Sequence, residues 1–281
     1  MQNHRLFGFV ASTGRTATTL IAKLLSDLQG VTALHEGHYL EDKKTPIIPP
    51  INMEHRKAWF DESFRKQLVQ GKRSAQVLDA VLDNTGQTRL IDVAYYNAAL
   101  VKDLYTQHPQ SRFVVIFRRC ETFVRSATTM TGEDLMPVGW PDAGKELTSR
   151  EKFIELGRLK PPKHTQTFER WANWSAIQKN IWLWQLTNQF LWDFVQASDP
   201  QRISLLHYEE LSEHPSRFWG NLLKAFNLYN ESTLEYCLNK SSKKENTKAG
   251  GYQIAAAESW SAAEKMDLQQ ALKLEKKIYD K

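Results

Sequence analysis

A short segment near the amino terminus constrains the fold of this chain more than any other. Residues 6–10 (Leu-Phe-Gly-Phe-Val) form an apolar run typical of a buried β-strand. A polar turn, Ser12-Thr13-Gly14, follows, and apolar residues then recur at helical spacing as far as Leu28. Strand, tight turn and helix in this order predict a loop whose free N–H groups and helix dipole attract an anion.

The side chains of this loop favour the same interpretation. Arg15 supplies a positive charge, and Thr16, Thr18 and Thr19 supply hydroxyl donors. A helix cap requires only one such side chain, so an ordinary connection capped by a threonine is the weaker alternative.

The composition is that of an ordinary soluble globular protein. Of the 281 residues, 41% are hydrophobic and 25% are charged. The net charge of +5 suits an anionic ligand but is too diffuse to indicate nucleic acid. Cys120 and Cys237 are too few for a disulfide framework or a metal cluster. The sequence contains no apolar run long enough to span a membrane, and the residues before the first strand leave no room for a signal peptide. We therefore expect a cytoplasmic protein.

Strand-like and helix-like segments alternate along the rest of the chain. Further strands are predicted at residues 31–34, 89–93, 113–117 and 203–207. This alternation predicts an α/β fold, a single domain of residues 1–281 with a central, mainly parallel sheet flanked by helices. Ligands of such sheets bind at the carboxyl ends of the strands. Arg15, Glu36, Arg118 and Tyr208 each follow a predicted strand, so we expect them at one edge of the sheet.

Two segments are candidates for an acceptor pocket. Residues 131–168 contain many glycines and prolines and are interpreted as a lid over the pocket. A long helix is predicted from Trp171 to about Ala197. Core packing is the simpler explanation of its tryptophans; the alternative is that Trp171 and Trp174, with Trp140, line a pocket for an apolar or cationic acceptor.

The phosphate loop of nucleotide-dependent kinases reads G-x-x-x-x-G-K-[ST], and the loop at Arg15 matches it only in part. The window from Phe9 to Thr16 lacks the first glycine and has Arg15 where the lysine belongs. Asp92 lies near a strand end, where an acidic residue would be needed to hold Mg²⁺. An ATP-dependent small-molecule kinase is therefore an alternative with a weaker match, and a non-catalytic protein that binds anions or nucleic acid is a third possibility.

Three segments resemble the sulfotransferases that use 3′-phosphoadenylyl sulfate (PAPS). Residues 15–19 (Arg-Thr-Ala-Thr-Thr) resemble the Arg/Lys-Ser-Gly-Thr-Thr loop that holds the 5′-phosphosulfate, with Ala17 in place of the glycine. Arg118 and Ser126, eight positions apart after a strand, resemble the second signature of the family. Residues 208–211 (Tyr-Glu-Glu-Leu) resemble its Tyr-Glu-Asp-Leu segment, and the three segments occur in the family's order.

The resemblance implies transfer of a sulfuryl group from PAPS to a hydroxyl or amine of a small-molecule acceptor, without a metal and without nucleic-acid or membrane partners. The residues implied in donor binding are Arg15, Thr16, Ala17, Thr18, Thr19, Arg118, Ser126 and Tyr208, with Lys243, Lys244 and Lys248 of a basic loop. Tyr95 stands where many relatives carry a Lys-Thr-Pro-type segment and is assigned to the acceptor site.

The acceptor must lose a proton, so the reaction requires a general base. Glu36 is the first choice, because its position 21 residues after Arg15 matches the catalytic glutamate of one branch of the family. His35 and His38 are the alternatives, since the unperturbed pKa of histidine lies nearer neutrality. Successive strand residues point to opposite faces, so His35 and Glu36 are not expected to face the pocket together.

Overall fold

A computed structural model of the chain describes residues 5–39, 46–51, 54–131, 136–137, 140, 158–242, 252 and 254–280. The chain divides into two compact units. The first unit comprises Met1–Phe117 and Phe190–Glu245, and the second comprises Arg118–Gln189 and Asn246–Lys281.

The described strands, in chain order, are β1 (Leu6–Ser12), β2 (Val31–His35), β3 (Arg89–Val93), β4 (Arg112–Phe117), β5 (Met130–Thr131), β6 (Met136–Pro137) and β7 (Ile203–His207). The described helices are α1 (Thr18–Ser26), α2 (His55–Ala58), α3 (Glu62–Lys72), α4 (Ala75–Thr85), α5 (Asn97–Gln107), α6 (Cys120–Thr128), α7 (Gln166–Trp171), α8 (Ala176–Ala197), α9 (Glu210–Glu213), α10 (Pro215–Ala225), α11 (Glu231–Ser241) and α12 (Ala262–Tyr279).

The first unit is built on a five-stranded sheet in the order β2-β3-β1-β4-β7. Every pairing in this sheet is parallel, so the carboxyl ends of its strands meet at one edge. This arrangement confirms the predicted α/β fold with a parallel sheet flanked by helices.

Alternation along the strands divides the core of the first unit into two layers. Val10 and Val114 pack in one cluster with Ile21 of α1 and Phe218 of α10. The neighbouring Phe9 and Phe113 must point to the opposite face. There their rings stack with centroids 5.4 Å apart, and the ring of Tyr105 from α5 lies 5.8 Å from that of Phe113. Both faces of the central strands are therefore apolar and buried, as parallel sheets require.

The prediction of one helix from Trp171 to about Ala197 was wrong. The structure has two helices, α7 and α8, separated by residues 172–175. Ser175 causes the break, because its hydroxyl accepts from the N–H of Gln178 and the Gln178 side chain accepts from the Ser175 N–H, both at 3.2 Å. This reciprocal cap starts α8 afresh and leaves Trp171 and Trp174 outside it.

The predicted lid lies only partly within the described residues. From residues 131–168 the structure describes the antiparallel pair β5–β6, Trp140 and residues 158–168. A single domain of residues 1–281, with this segment as a lid, stays a prediction. Among the helices that the structure describes, none combines the length and apolar character needed to cross a membrane.

Candidate active site

The loop between β1 and α1 has an unusual backbone. Gly14, Arg15 and Ala17 all have positive φ angles, of 80°, 57° and 59°. Glycine adopts this left-handed region freely, whereas a side chain makes it costly. A left-handed residue next to one of negative φ turns successive backbone N–H groups toward a concavity that attracts anions. Strain of this kind is characteristic of ligand-binding segments.

Ser12, the last residue of β1, stabilises this loop through two hydrogen bonds. Its hydroxyl oxygen accepts from the Gly14 N–H at 3.0 Å and from the Thr16 hydroxyl at 2.7 Å. Ser12 and Thr16 are both fully buried. The Thr16 hydroxyl thus helps to hold the loop in shape, and its role in binding the donor stays a prediction.

The amino terminus of α1 lacks a side-chain cap. Ala17 occupies the cap position and offers only its carbonyl, which accepts from the Ile21 N–H at 2.9 Å. Helix geometry gives the N–H groups of the first turn no acceptor within the helix. The end of α1 thus presents donors and the positive pole of the helix dipole beside Arg15.

His35 lies against the hydroxyl groups of that first turn. Its Nε2 atom is 3.3 Å from Oγ1 of Thr18 and 3.3 Å from Oγ1 of Thr19. This contact was not expected from the sequence, which had treated His35 only as a rival base. The imidazole is placed to orient the two hydroxyls of the loop.

Glu36 follows β2 in a tight turn outside the strand. Glu36 and Gly37 have φ angles of 55° and 82°, and the Glu36 N–H donates to the Val93 carbonyl at 3.2 Å. His38 closes the turn, because its Nδ1 donates to the Glu36 carbonyl at 2.9 Å. The alternation of a strand does not govern a left-handed turn, so the argument that separated His35 from Glu36 does not apply.

Tyr95, which follows β3, is a further side chain next to the loop. A Cβ atom built on Gly14 would lie 3.5 Å from Cβ of Tyr95, so this tyrosine lies directly against the loop. Burial, together with the charge of Glu36, raises the pKa of Tyr95. Its hydroxyl therefore stays protonated near neutral pH and is a potential hydrogen-bond donor. The edge of its ring meets His55, with centroids 5.1 Å apart.

A buried ion pair lies behind the turn formed by Glu36 and Gly37. Arg73 and Asp92 are both fully buried, with Nε 3.4 Å from Oδ2, and Arg73 also donates to the Tyr96 hydroxyl at 3.0 Å. A Cβ on Gly37 would lie 3.4 Å from that hydroxyl. Burial raises the pKa of Asp92, and the charge of Arg73 opposes the rise. Asp92 thus belongs to the core, and no group of three potential metal ligands occurs among the described residues.

Tyr208 follows β7 and is half-buried. Its N–H donates to the Phe117 carbonyl at 2.8 Å, and its side chain packs against the apolar cluster under the sheet. The structure therefore places Tyr208 at the carboxyl end of β7, as predicted from the strand pattern.

The second unit contains Arg118 and Ser126. Arg118 is 3% exposed, and its Nε donates to the Thr122 hydroxyl at 3.2 Å. Its Nη2 donates to the Tyr252 hydroxyl at 2.7 Å. Ser126 is one turn beyond Thr122 on α6, on the same face of the helix, and is also buried.

Tyr252 is a residue that the sequence reasoning missed. Besides its bond to Arg118, its ring lies beneath Arg125, with the guanidinium carbon 4.5 Å from the ring centroid. The signal available was its place directly after the basic, glycine-containing segment. Lys243, Lys244 and Lys248 of that segment lie outside the described residues.

The predicted acceptor tryptophans also belong to the second unit. Trp140 is 3% exposed, and Asn180 pairs with both its N–H and its carbonyl at 3.0 and 3.1 Å. Centroids of Trp140 and Trp171 are 5.1 Å apart, and those of Trp171 and Trp174 are 5.8 Å apart. These contacts favour core packing for Trp140 and Trp171, while Trp174 is half-buried.

Two of these indoles already have a lysine of the same chain over the ring, where a cationic acceptor would bind. Lys160 Nζ lies 5.1 Å from the ring centroid of Trp140, and Lys179 Nζ lies 5.6 Å from that of Trp171. These contacts weaken the expectation of a cationic acceptor at this cluster, because like charges would meet there.

Comparison with known proteins identifies the fold. No protein-family model and no curated protein sequence matches the chain. The sulfotransferase domain of the Synechococcus PCC 7002 olefin synthase is similar over 100% of this chain and 97% of its own length, with a TM-score of 0.53 and 13% identity. The sulfotransferase domain of the curacin biosynthetic pathway covers 82% of this chain and 76% of its own length, with a TM-score of 0.49 and 16% identity. The likeness to the olefin synthase domain shows that the chain has a sulfotransferase fold.

Proposed function

We propose that the protein is a cytoplasmic sulfotransferase that moves a sulfuryl group from PAPS to a hydroxyl or amine of a small-molecule acceptor. The observation that carries the proposal is the β1–α1 loop. Its left-handed Gly14, Arg15 and Ala17 lead into a helix end without a side-chain cap, and Tyr95 lies directly against this loop. The sulfotransferase fold supports the same function.

In this proposal the loop holds the phosphosulfate end of the donor. Arg15 binds its oxygens with the paired donors of a guanidinium, and Thr18 and Thr19 donate from the first turn of α1. These groups are fixed before the reaction begins, so they stabilise the negative charge that grows on the bridging oxygen without reorganising.

The other end of the nucleotide is assigned by the resemblance of sequence segments. Arg118 and Ser126 are proposed to bind the 3′-phosphate, Tyr208 the adenine, and Lys243, Lys244 or Lys248 the phosphate from the basic loop. Burial of Arg118 and Ser126 on or beside α6 supports the assignment, because a low-dielectric setting strengthens a bond to phosphate.

Glu36 is proposed as the general base. Its carboxylate takes the proton of the acceptor hydroxyl or amine while the acceptor atom forms a bond to sulfur. The bond from sulfur to the bridging oxygen breaks in line, and its electron pair stays on the 5′-phosphate of the departing adenosine 3′,5′-bisphosphate. Tyr95, kept protonated beside Glu36, is proposed to donate a hydrogen bond at the acceptor.

The substitution Glu36→Gln tests this role. We expect turnover to fall by about 10²- to 10⁴-fold, because general-base catalysis supplies a factor of that size. Affinity for adenosine 3′,5′-bisphosphate, measured by calorimetry, should not change. His35→Asn and His38→Asn, assayed in parallel, compare the rival bases, and Glu62→Gln on exposed α3 is the matched control. Full turnover in Glu36→Gln would exclude this residue as the base.

Ligand-induced changes in melting temperature separate the three functions. A sulfotransferase is stabilised by adenosine 3′,5′-bisphosphate without Mg²⁺, because ligands that bind only the folded state raise its stability. A response to ATP with Mg²⁺ alone would favour the kinase. Salt-sensitive binding of DNA, with neither nucleotide effect, would favour a non-catalytic anion-binding protein.

A further inference from the structure

A segment near the carboxyl terminus is tied along α6 by three side chains of that region. We call residues 252 and 254–260 the C-terminal strap. Arg118 donates to the Tyr252 hydroxyl at 2.7 Å, Arg125 Nε donates to the Ile254 carbonyl at 3.1 Å, and Glu121 accepts from the Ala257 N–H at 3.1 Å. These three bonds fix the position of the strap relative to α6 within the second unit.

Tyr252 lies between two guanidinium groups. Arg118 contacts its hydroxyl, and Arg125 covers its ring at 4.5 Å, a distance at which the ring quadrupole attracts a cation. Tyr252 is nevertheless 41% exposed, so part of the residue remains accessible from solvent. Two positive charges therefore meet at one partly exposed tyrosine.

The bond to Tyr252 also orients Arg118. Nε of Arg118 is held by Thr122 and Nη2 by Tyr252, so two separate nitrogen atoms define the plane of the guanidinium. A guanidinium binds a phosphate through paired N–H groups only when its plane faces the oxygens. Holding this plane in advance removes the ordering cost that binding would otherwise carry.

The Tyr252 hydroxyl can act in two ways at once. Its oxygen accepts from Arg118, which leaves its own proton to be donated elsewhere. Hydrogen bonds in such a chain strengthen one another, because each donor is polarised by the bond that it accepts. A phosphate on Arg118 would therefore meet a guanidinium whose orientation this bond already fixes.

We propose that Tyr252 is a positioning residue for Arg118 and that it makes the protein prefer nucleotides with a 3′-phosphate over nucleotides without one. The inference rests on the proposed function, since it takes Arg118 as the ligand of the 3′-phosphate. The two contacts of Tyr252 assign it a part in recognition that neither the sequence motifs nor the fold indicates.

The substitution Tyr252→Phe tests this inference, because it removes the hydroxyl and keeps the ring under Arg125. Calorimetry would compare adenosine 3′,5′-bisphosphate with adenosine 5′-phosphate, which lacks the 3′-phosphate. We expect the affinity for the bisphosphate to fall about tenfold, the range of one hydrogen bond to a charged group, and the affinity for the monophosphate to stay the same.

Tyr229→Phe is the matched control, because Tyr229 is similarly exposed and its hydroxyl donates to Glu231 at 3.0 Å. It should change neither affinity. In an Arg118→Lys background, Tyr252→Phe should have no further effect, since the hydroxyl acts through the guanidinium.

The outcomes separate this inference from the function on which it rests. An unchanged ratio of the two affinities in Tyr252→Phe, or an equal loss for both nucleotides, overturns the role of Tyr252 alone. Failure of the unmodified protein to bind adenosine 3′,5′-bisphosphate overturns the proposed function and this role together.

Discussion

The turns after β1 and β4 both lead from a buried parallel strand into a helix, but the two helix ends are satisfied differently. At α1 the cap residue is Ala17, which has no side chain to accept a hydrogen bond. At α6 the N–H of Cys120 donates to the Glu275 carboxylate at 2.7 Å, and Arg119 lies 3.6 Å from the same carboxylate. One helix end lacks a side-chain cap, and the other binds an anionic group of the protein itself.

The backbone conformation of the two turns also differs. Three left-handed residues shape the turn before α1, whereas the cap residue of α6, Arg119, has ordinary angles of φ −57° and ψ 139°. The strained turn is thus the one without a side-chain cap, and the unstrained turn is the one whose first helical N–H meets a carboxylate. This difference favours the turn before α1 as the place where backbone N–H groups are proposed to meet a ligand. At the second turn, the side chain of Arg118 is then the group proposed to bind phosphate.

The largest expected effect is a loss of nucleotide affinity, and it distinguishes Arg15, in the turn after β1, from Arg119, in the turn after β4. Arg15→Met should weaken the binding of adenosine 3′,5′-bisphosphate about 100-fold, because a charged hydrogen-bonding partner of the 5′-phosphate is lost. The melting temperature without ligand should stay within about 1–2 °C of the unmodified protein, the effect of a typical surface substitution.

Arg119→Met is the control for this prediction. Its side chain is half-exposed and stacks over Tyr279, with the guanidinium carbon 4.8 Å from the ring centroid. Calorimetry should find its nucleotide affinity unchanged. Equal losses in the two variants would mean that the two turns do not differ as ligand sites.

An intermediate effect is expected from removing the internal cap of α6. Glu275→Leu should lower the free energy of unfolding by about 2 kcal/mol, because the buried N–H of Cys120 loses its acceptor. Urea denaturation measures this change. Glu258→Gln, at an exposed position of the C-terminal strap, should change it by less than about 0.5 kcal/mol. If Glu275→Leu is as stable as the control, the end of α6 does not depend on its carboxylate.

The smallest effect concerns the strained turn before α1. Ala17→Gly should raise the free energy of unfolding by about 0.5–1 kcal/mol, because glycine adopts a φ of 59° without steric cost. Gly14→Ala, at a φ of 80°, should lower it by about 1 kcal/mol. Thermal melts of both variants check the signs. A less stable Ala17→Gly protein would show that the left-handed backbone is not a source of strain there.

Several features of the site could be predicted from the sequence because they depend on neighbours along the chain. The apolar run ending at Ser12 and the helical spacing after Thr18 predict strand, loop and helix, and Arg15 marks the loop as a place for an anion. The place of Glu36 after the second strand was also predicted, since the strand pattern ends there.

Other features depend on residues far apart in the chain and could not be predicted. The sequence does not reveal that the Thr16 hydroxyl donates to the Ser12 hydroxyl inside the loop, where both residues are buried. It also does not reveal that the fold brings the imidazole of His35, a candidate base, to the hydroxyls of Thr18 and Thr19. It extended one helix through residues 172–175, where the local cap at Ser175 outweighs apolar spacing.

The order along the chain of the five strands of the parallel sheet and the chemical character of the loop at Arg15 follow from the sequence alone, because periodicity and side-chain type are local properties. The capping of α6 depends on the tertiary structure, since the carboxylate that accepts from the Cys120 N–H comes from Glu275, 155 positions later in the chain. The tertiary structure likewise decided the place of Tyr252, whose bond to Arg118 spans 134 positions. Contacts of this range depend on how elements pack, and no local pattern encodes them.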